Sequence, residues 1–239
     1  MTREMNTLLP STPMLTLRVG EHFESSEPVL VRRRDRYTRF EVLSPAGVVN
    51  AQPQLREDAS PLLLLEAPQA CAVAVEAAPI DIELDAQKFE AYLFEERLYD
   101  VLVARAATGA EDSPGRERYS RSLRRILPGA PDECAVRPSG LTFEFRPTTN
   151  PAKAKVGGSL SFQLLLAGKP VGKHAVLVAN RYHSRVVAQR LRTDADGKVE
   201  ITLHRPGDWM VSTVRMQPST EAGADWRSHW CNLTFTVAE

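Results

Sequence analysis

The sequence predicts a mainly β protein built from two β-sandwich domains of immunoglobulin-like or transthyretin-like type, the first carrying a two-helix insert. Three observations predict it. Short runs with apolar–polar alternation recur along the chain with turn signals between them. Proline (17) outnumbers glycine (13), which favours turns and strand edges over long helices. In one stretch only, beginning near Asp85, the apolar spacing becomes helical. At 239 residues the chain has room for one large or two modest domains. The expected division is 1–137, with the insert at about 85–127, and 138–239.

The elements follow in order. Leu15, Leu17 and Val19 share one face of a strand within Thr12–Gly20. The charge run Arg32-Arg33-Arg34-Asp35-Arg36 precedes a strand at Tyr37–Leu43, and Ser44-Pro-Ala-Gly47 is a turn. Pro61–Glu66 and Cys71–Ala77 are two further strands, with Cys71 a small core residue. Asp85 has the character of an N-cap for a helix carrying Phe89, Leu93, Leu98, Val101 and Leu102. A second, arginine-rich helix is expected from about Arg116 to Leu127, with Tyr119, Leu123, Ile126 and Leu127 as its apolar stripe. Gly129 to Ser139, with Cys134 inside it, is the expected linker. Strands are expected at Leu141–Phe145, Leu160–Leu166, Ala175–Asn180, Arg185–Arg192, Lys198–Leu203, Trp209–Met216 and Asn232–Val237.

Charge and motif content exclude several functions. Thirty basic residues balance thirty acidic ones, which disfavours a nucleic-acid binder. Locally, Arg97 to Leu127 holds seven arginines against four acids, an excess that would suit an acidic protein partner. Three cysteines allow one disulfide but no disulfide framework, and their spacing fits no zinc motif. The longest apolar run, Pro61–Leu65, is too short to span a membrane. No secretory leader precedes the first strand, which points either to the cytoplasm or to a processed form. No phosphate loop, dinucleotide fingerprint, nucleophile elbow or His-Glu-x-x-His is present, so a non-enzymatic protein is expected.

Several segments together carry a resemblance: Leu17-Arg-Val-Gly-Glu-His-Phe23, Lys88-Phe-Glu-Ala-Tyr-Leu93, Gly115-Arg-Glu-Arg-Tyr-Ser-Arg121, Thr193-Asp-Ala-Asp-Gly197, Pro206-Gly-Asp-Trp209, and Asp225-Trp226 with Trp230. In this order they resemble the domain-of-unknown-function 4198 family, which includes accessory subunits of bacterial nickel-uptake transporters. Gly168-Lys-Pro-Val171 and the following strand are similar to transthyretin-like and carboxypeptidase-regulatory modules, which are usually non-catalytic. The resemblance implies a periplasmic protein that handles nickel or another divalent transition metal, or that engages a membrane transporter subunit. Family members begin with a leader and a His-Asp-Phe-Trp-like segment, and this sequence has neither.

His22, in its family motif, is the leading metal-ligand candidate, with Glu21 beside it and His229 as a further imidazole. Each has a plain structural alternative, a hydrogen-bonding histidine at a strand end. Asp194, Asp196 and Gly197 open like a calcium loop, but Arg205 stands where that loop needs a bidentate Glu, so a β-turn is expected. Arg118 and Arg121, three apart on the expected helix, with Tyr119, form a candidate partner-binding cluster, or dock that helix onto Glu95 and Glu96. Trp226 and Trp230 either cap the sandwich or offer a platform to a partner. An assembly role through sandwich edges and the arginine-rich helix is the alternative to metal handling.

Overall fold

The computed structural model describes residues 8–11, 14–21, 23–28, 36–54, 62–64 and 70–239. The strands are β1 Leu8–Ser11, β2 Met14–Glu21, β3 Glu24–Pro28, β4 Tyr37–Ser44, β5 Gly47–Asn50, β6 Leu62–Leu64, β7 Ala72–Leu84, β8 Gly115–Ile126, β9 Phe143–Pro147, β10 Ser159–Leu166, β11 Lys169–Pro170, β12 Ala175–Tyr182, β13 Arg185–Arg192, β14 Lys198–Thr202, β15 Gly207–Pro218 and β16 Trp226–Val237. The helices are α1 Ala86–Glu95, α2 Tyr99–Ala107 and the short α3 Asp132–Ala135. The protein is mainly β, as its alternating segments predict.

One large sheet organises the chain, in the order β13-β12-β15-β16-β8-β7-β4-β5. Its strands come from both sides of residue 137, so the sheet runs across the expected domain boundary. β16 and β8 pair parallel, Trp226 opposite Glu117 through Thr234 opposite Arg125, and the large sheet's other neighbours are antiparallel. A smaller sheet has β9, β11 and β14 around β10. The two sheets face each other across one core. Phe143, Phe145, Phe162, Leu164 and Ile201 of the small sheet meet Val176, Trp209, Val211, Leu233 and Phe235 of the large one. Burying such facing apolar rows is what stabilises a two-layer β fold. A further sheet is formed by β1, β2, β3 and β6.

The expected helix at about 116–127 is strand β8. Its Tyr119, Leu123, Ile126 and Leu127 spacing is helical on paper, but in the fold the strand is enclosed on both faces. Glu117, Tyr119, Arg121, Leu123 and Arg125 project to one side; Arg118, Ser120, Ser122, Arg124 and Ile126 project to the other. Arg121, Arg124 and Arg125 are buried, so arginines occupy positions that a period-two reading expects to be apolar. The two-helix insert is instead α1 and α2, both taken from the stretch expected to form one helix. Asp85 caps α1 by accepting from the Lys88 backbone N–H at 2.9 Å. The chain then turns at Arg97, whose φ is +61°, before α2 begins.

These helices cover the other face of the large sheet. Phe89, Leu93 and Val101 pack with Val214, Met216, Trp226 and Trp230. Gly115 makes this possible, because a Cβ there would fall inside the Phe89 ring. The expected linker contains α3, and Cys134 of that helix is disulfide-bonded to Cys71, with Cα atoms 6.2 Å apart. Residues 193–197 form the expected turn, with Asp194 Oδ1 accepting from the backbone N–H groups of Asp196 and Lys198. It joins strands of different sheets, β13 and β14, rather than the arms of a hairpin. Gly197, at φ +75°, lies against the backbone of Leu164 and Val171.

Candidate functional site

The chemistry-bearing residues gather along β8 and the strand beside it, β16. On the helix side, Glu117 is buried beneath α1. Its Oε1 accepts from Tyr92 at 3.2 Å and also from the Ser228 hydroxyl. Burial raises the Glu117 carboxyl above its usual range, although both hydroxyl bonds favour the charged form. Burial, with Glu117 beside it, likewise raises the Tyr92 phenol well above its ordinary value. Tyr92 stacks on Trp230 with centroids 5.8 Å apart, and Arg121 lies 5.0 Å above the Trp230 ring and 5.0 Å above Tyr119. This is an interior polar network wrapped in aromatic rings.

Its members include most of the expected partner-binding residues. Arg121 (7% exposed), Trp226 (8%) and Trp230 (5%) are too enclosed to touch a partner while α1 and α2 are in place. The tryptophans lie in strand β16 and pack between the sheet and the helices, in a cluster separate from the sandwich core. Arg118 and Arg121, three apart on a strand rather than a helix, point to opposite faces. Arg118 does not dock on Glu95 or Glu96. It bonds Asp81 at 2.5 and 2.7 Å and Glu221 at 2.6 Å, and its bond to Asp81 holds that carboxyl below the usual range.

On the sandwich side, His229 Nδ1 lies 2.9 Å from the Ser120 hydroxyl. Burial and then the nearby Arg227 guanidinium lower the affinity of His229 for a proton. Farther along β8 two arginines are fully enclosed. Arg124 donates to the carbonyl of Ala135 in α3 at 3.0 Å, and Arg125 donates to the Thr236 hydroxyl at 2.6 Å, with Asp208 3.7 Å away. Burial pushes both guanidinium groups down to about 10. Their Nε and Nη1 groups have no hydrogen-bond partner.

Of the metal candidates, only His229 has a described side chain. His22 lies outside the described residues, as does the side chain of Glu21. Phe23, next to His22, packs on Ala179 and Met210, with the Arg181 guanidinium 5.1 Å over its ring. Met210 pairs with Thr234 and Arg215 with His229, so Phe23 and His229 meet opposite faces of the sheet. They are separated by about 16 Å along the strand, five residues at ~3.3 Å each. Among the described residues no group of three or more His, Cys, Asp and Glu is placed to hold a metal ion. Nor, among those residues, is any helix long and apolar enough to cross a membrane.

Sequence reasoning missed the Glu117 network and the Cys71–Cys134 pairing. A signal for the first was present, since Glu117 sits inside a segment that reads as a strand once the arginines are allowed to be interior. Comparison with known proteins places the chain. The family described as Domain of unknown function (DUF4198) matches residues 2–217. The chain belongs to the DUF4198 family. No curated protein matches it. The match covers α1, α2 and β8, and with them Tyr92, Glu117 and Arg121, and it ends before Ser228 and Trp230 of β16.

Proposed function

We propose that this DUF4198 protein is a non-enzymatic binding protein of an oxidising compartment, the periplasm, serving transition-metal uptake beside a membrane transporter subunit. The observation that carries the reading is the Cys71–Cys134 disulfide, which ties the edge of β7 to α3 across a sequence separation of 63 residues. Such bonds persist where thiols are not kept reduced. The non-enzymatic part is supported by how the titratable groups are used. Glu117 and His229 are bonded to neighbouring side chains, and His174 Nε2 donates to the Val214 carbonyl at 2.9 Å. Nickel, or another divalent transition metal, would be held through His22 and Glu21. His229 is not part of that proposed set, because it faces the opposite side of the sheet from Phe23, the described neighbour of His22. In the same reading the stretch from about 138 is a transthyretin-like unit that contributes scaffold rather than chemistry.

Calorimetric titration of Ni, Co and Cu into the purified protein tests the metal assignment. Saturable binding that His22→Ala weakens by about tenfold or more is expected, the loss of one strong ligand. Absence of saturable heat for all three metals, or a His22→Ala protein that binds like wild type, would sink it. Thiol alkylation in cell fractions tests the compartment. Cys71 and Cys134 are expected to be unreactive until a reductant is added.

A further inference from the structure

A cavity of about 340 Å³ opens where the α1–α2 turn meets the sheet. Its wall brings cations from four separate segments: Arg97 from the turn, Lys173 ahead of β12, Arg192 at the end of β13 and Arg215 on β15. Two carboxylates, Glu96 and Asp100, share the wall, so cations outnumber anions four to two. Glu96 already faces Arg190, 3.5 Å away. Arg97, Lys173 and Arg192 are exposed, and Arg192 donates to the Lys173 carbonyl rather than to a carboxylate. The Arg215 Nε group is buried with no hydrogen-bond partner. A concave wall with one sign in excess concentrates its potential in the opening. The volume falls within the range of small-molecule sites. At its rim α2 starts from Leu98, which supplies no side-chain cap for the first backbone N–H groups.

The backbone gives an independent indication. Five non-glycine residues among those described have positive φ, and two of them, Arg97 (+61°) and Lys173 (+54°), are cations of this wall. Glycine adopts that conformation without steric cost, whereas long side chains resist it. Arg97 also donates to the hydroxyl of Tyr99, another residue of the wall, and strained positions cluster at ligand sites.

We infer that this cavity is a binding site for a small di- or tricarboxylate. Planar guanidinium groups match carboxylates through paired N–H···O bonds. Cations on four segments suit a ligand with several separated carboxylates better than one compact anion. The site requires neither a bound metal nor the proposed role in metal uptake.

The probe is citrate, titrated calorimetrically into the full chain in metal-free buffer at low ionic strength, with inorganic phosphate as the compact-anion comparison. Saturable one-to-one citrate binding is expected, weakening steeply with added salt. The decisive variants are Lys173→Gly and Arg97→Gly. Each removes a cation and also relieves the backbone, so thermal stability should hold or rise while citrate affinity falls by about tenfold. Lys169→Gln, a cation outside the cavity wall, should leave affinity unchanged. No saturable citrate binding up to about 10 mM, the weak end of specific recognition, would overturn the inference. So would unchanged affinity in the double glycine variant. Phosphate binding tighter than citrate would overturn the assigned ligand class.

Discussion

Glu117 shows how much one buried carboxyl depends on its hydroxyl partners. Tyr92 and Ser228 both donate to its Oε1, while the second oxygen has no partner among the hydrogen bonds. Glu117→Ala would leave two buried hydroxyls without their acceptor, at a cost of about 1–3 kcal/mol. Glu117→Gln keeps an acceptor and removes the buried charge, so its cost at neutral pH should stay below ~1 kcal/mol. The pH dependence has a definite sign. Burial raises the folded-state value of the carboxyl. Its favourable contribution is therefore complete while it is protonated and is lost as pH rises through that raised value. Urea denaturation at a series of pH values should show Glu117→Gln gaining on wild type as pH rises. A constant difference between them would show that the carboxyl does not titrate as its burial requires.

At the scale of elements, the contact that decides the helical layer is Phe89 of α1 against Gly115 of β8. Any side chain at 115 must displace that ring, so Gly115→Ala should destabilise the protein by about 1–3 kcal/mol. Near-ultraviolet circular dichroism should register the disturbed packing of Tyr92 and Trp230, while the sheet signal in the far ultraviolet persists. An unchanged melting temperature would mean that α1 rides free of β8. The Asp85 cap and the alternating strands from β9 onward were legible from sequence because local rules settle them. β14, with every second residue buried, is the plainest case. β8 was not legible, since pairing with β7 and β16, together with α1 over one face and α3 against the other, decides its conformation and is invisible locally. The split into α1 and α2 was hidden too, because Arg97 carries no composition signal for a left-handed turn.

For the whole molecule, the Cys71–Cys134 bond closes a long loop that includes α1, α2 and β8. Confining that much chain when unfolded stabilises the native state by on the order of 4 kcal/mol in the chain-entropy account, and by 2–4 kcal/mol in typical measurements. Cys134→Ser should lower stability by roughly that amount, measured by urea unfolding. Adding a reductant should lower wild type to the same level and leave the variant unmoved. A reductant effect in Cys134→Ser would implicate a different cysteine pair. By itself the amino-acid sequence determined the β class, most strand positions in the C-terminal half, the α1 cap and the family, because alternation, turns and capping act over a few residues. Tertiary structure alone decided that a single sheet takes strands from both halves, that β8 is one of its interior strands, which cysteines pair, and which cations share a cavity. Those outcomes depend on contacts between residues far apart in the chain, where what surrounds a segment outweighs its own preference.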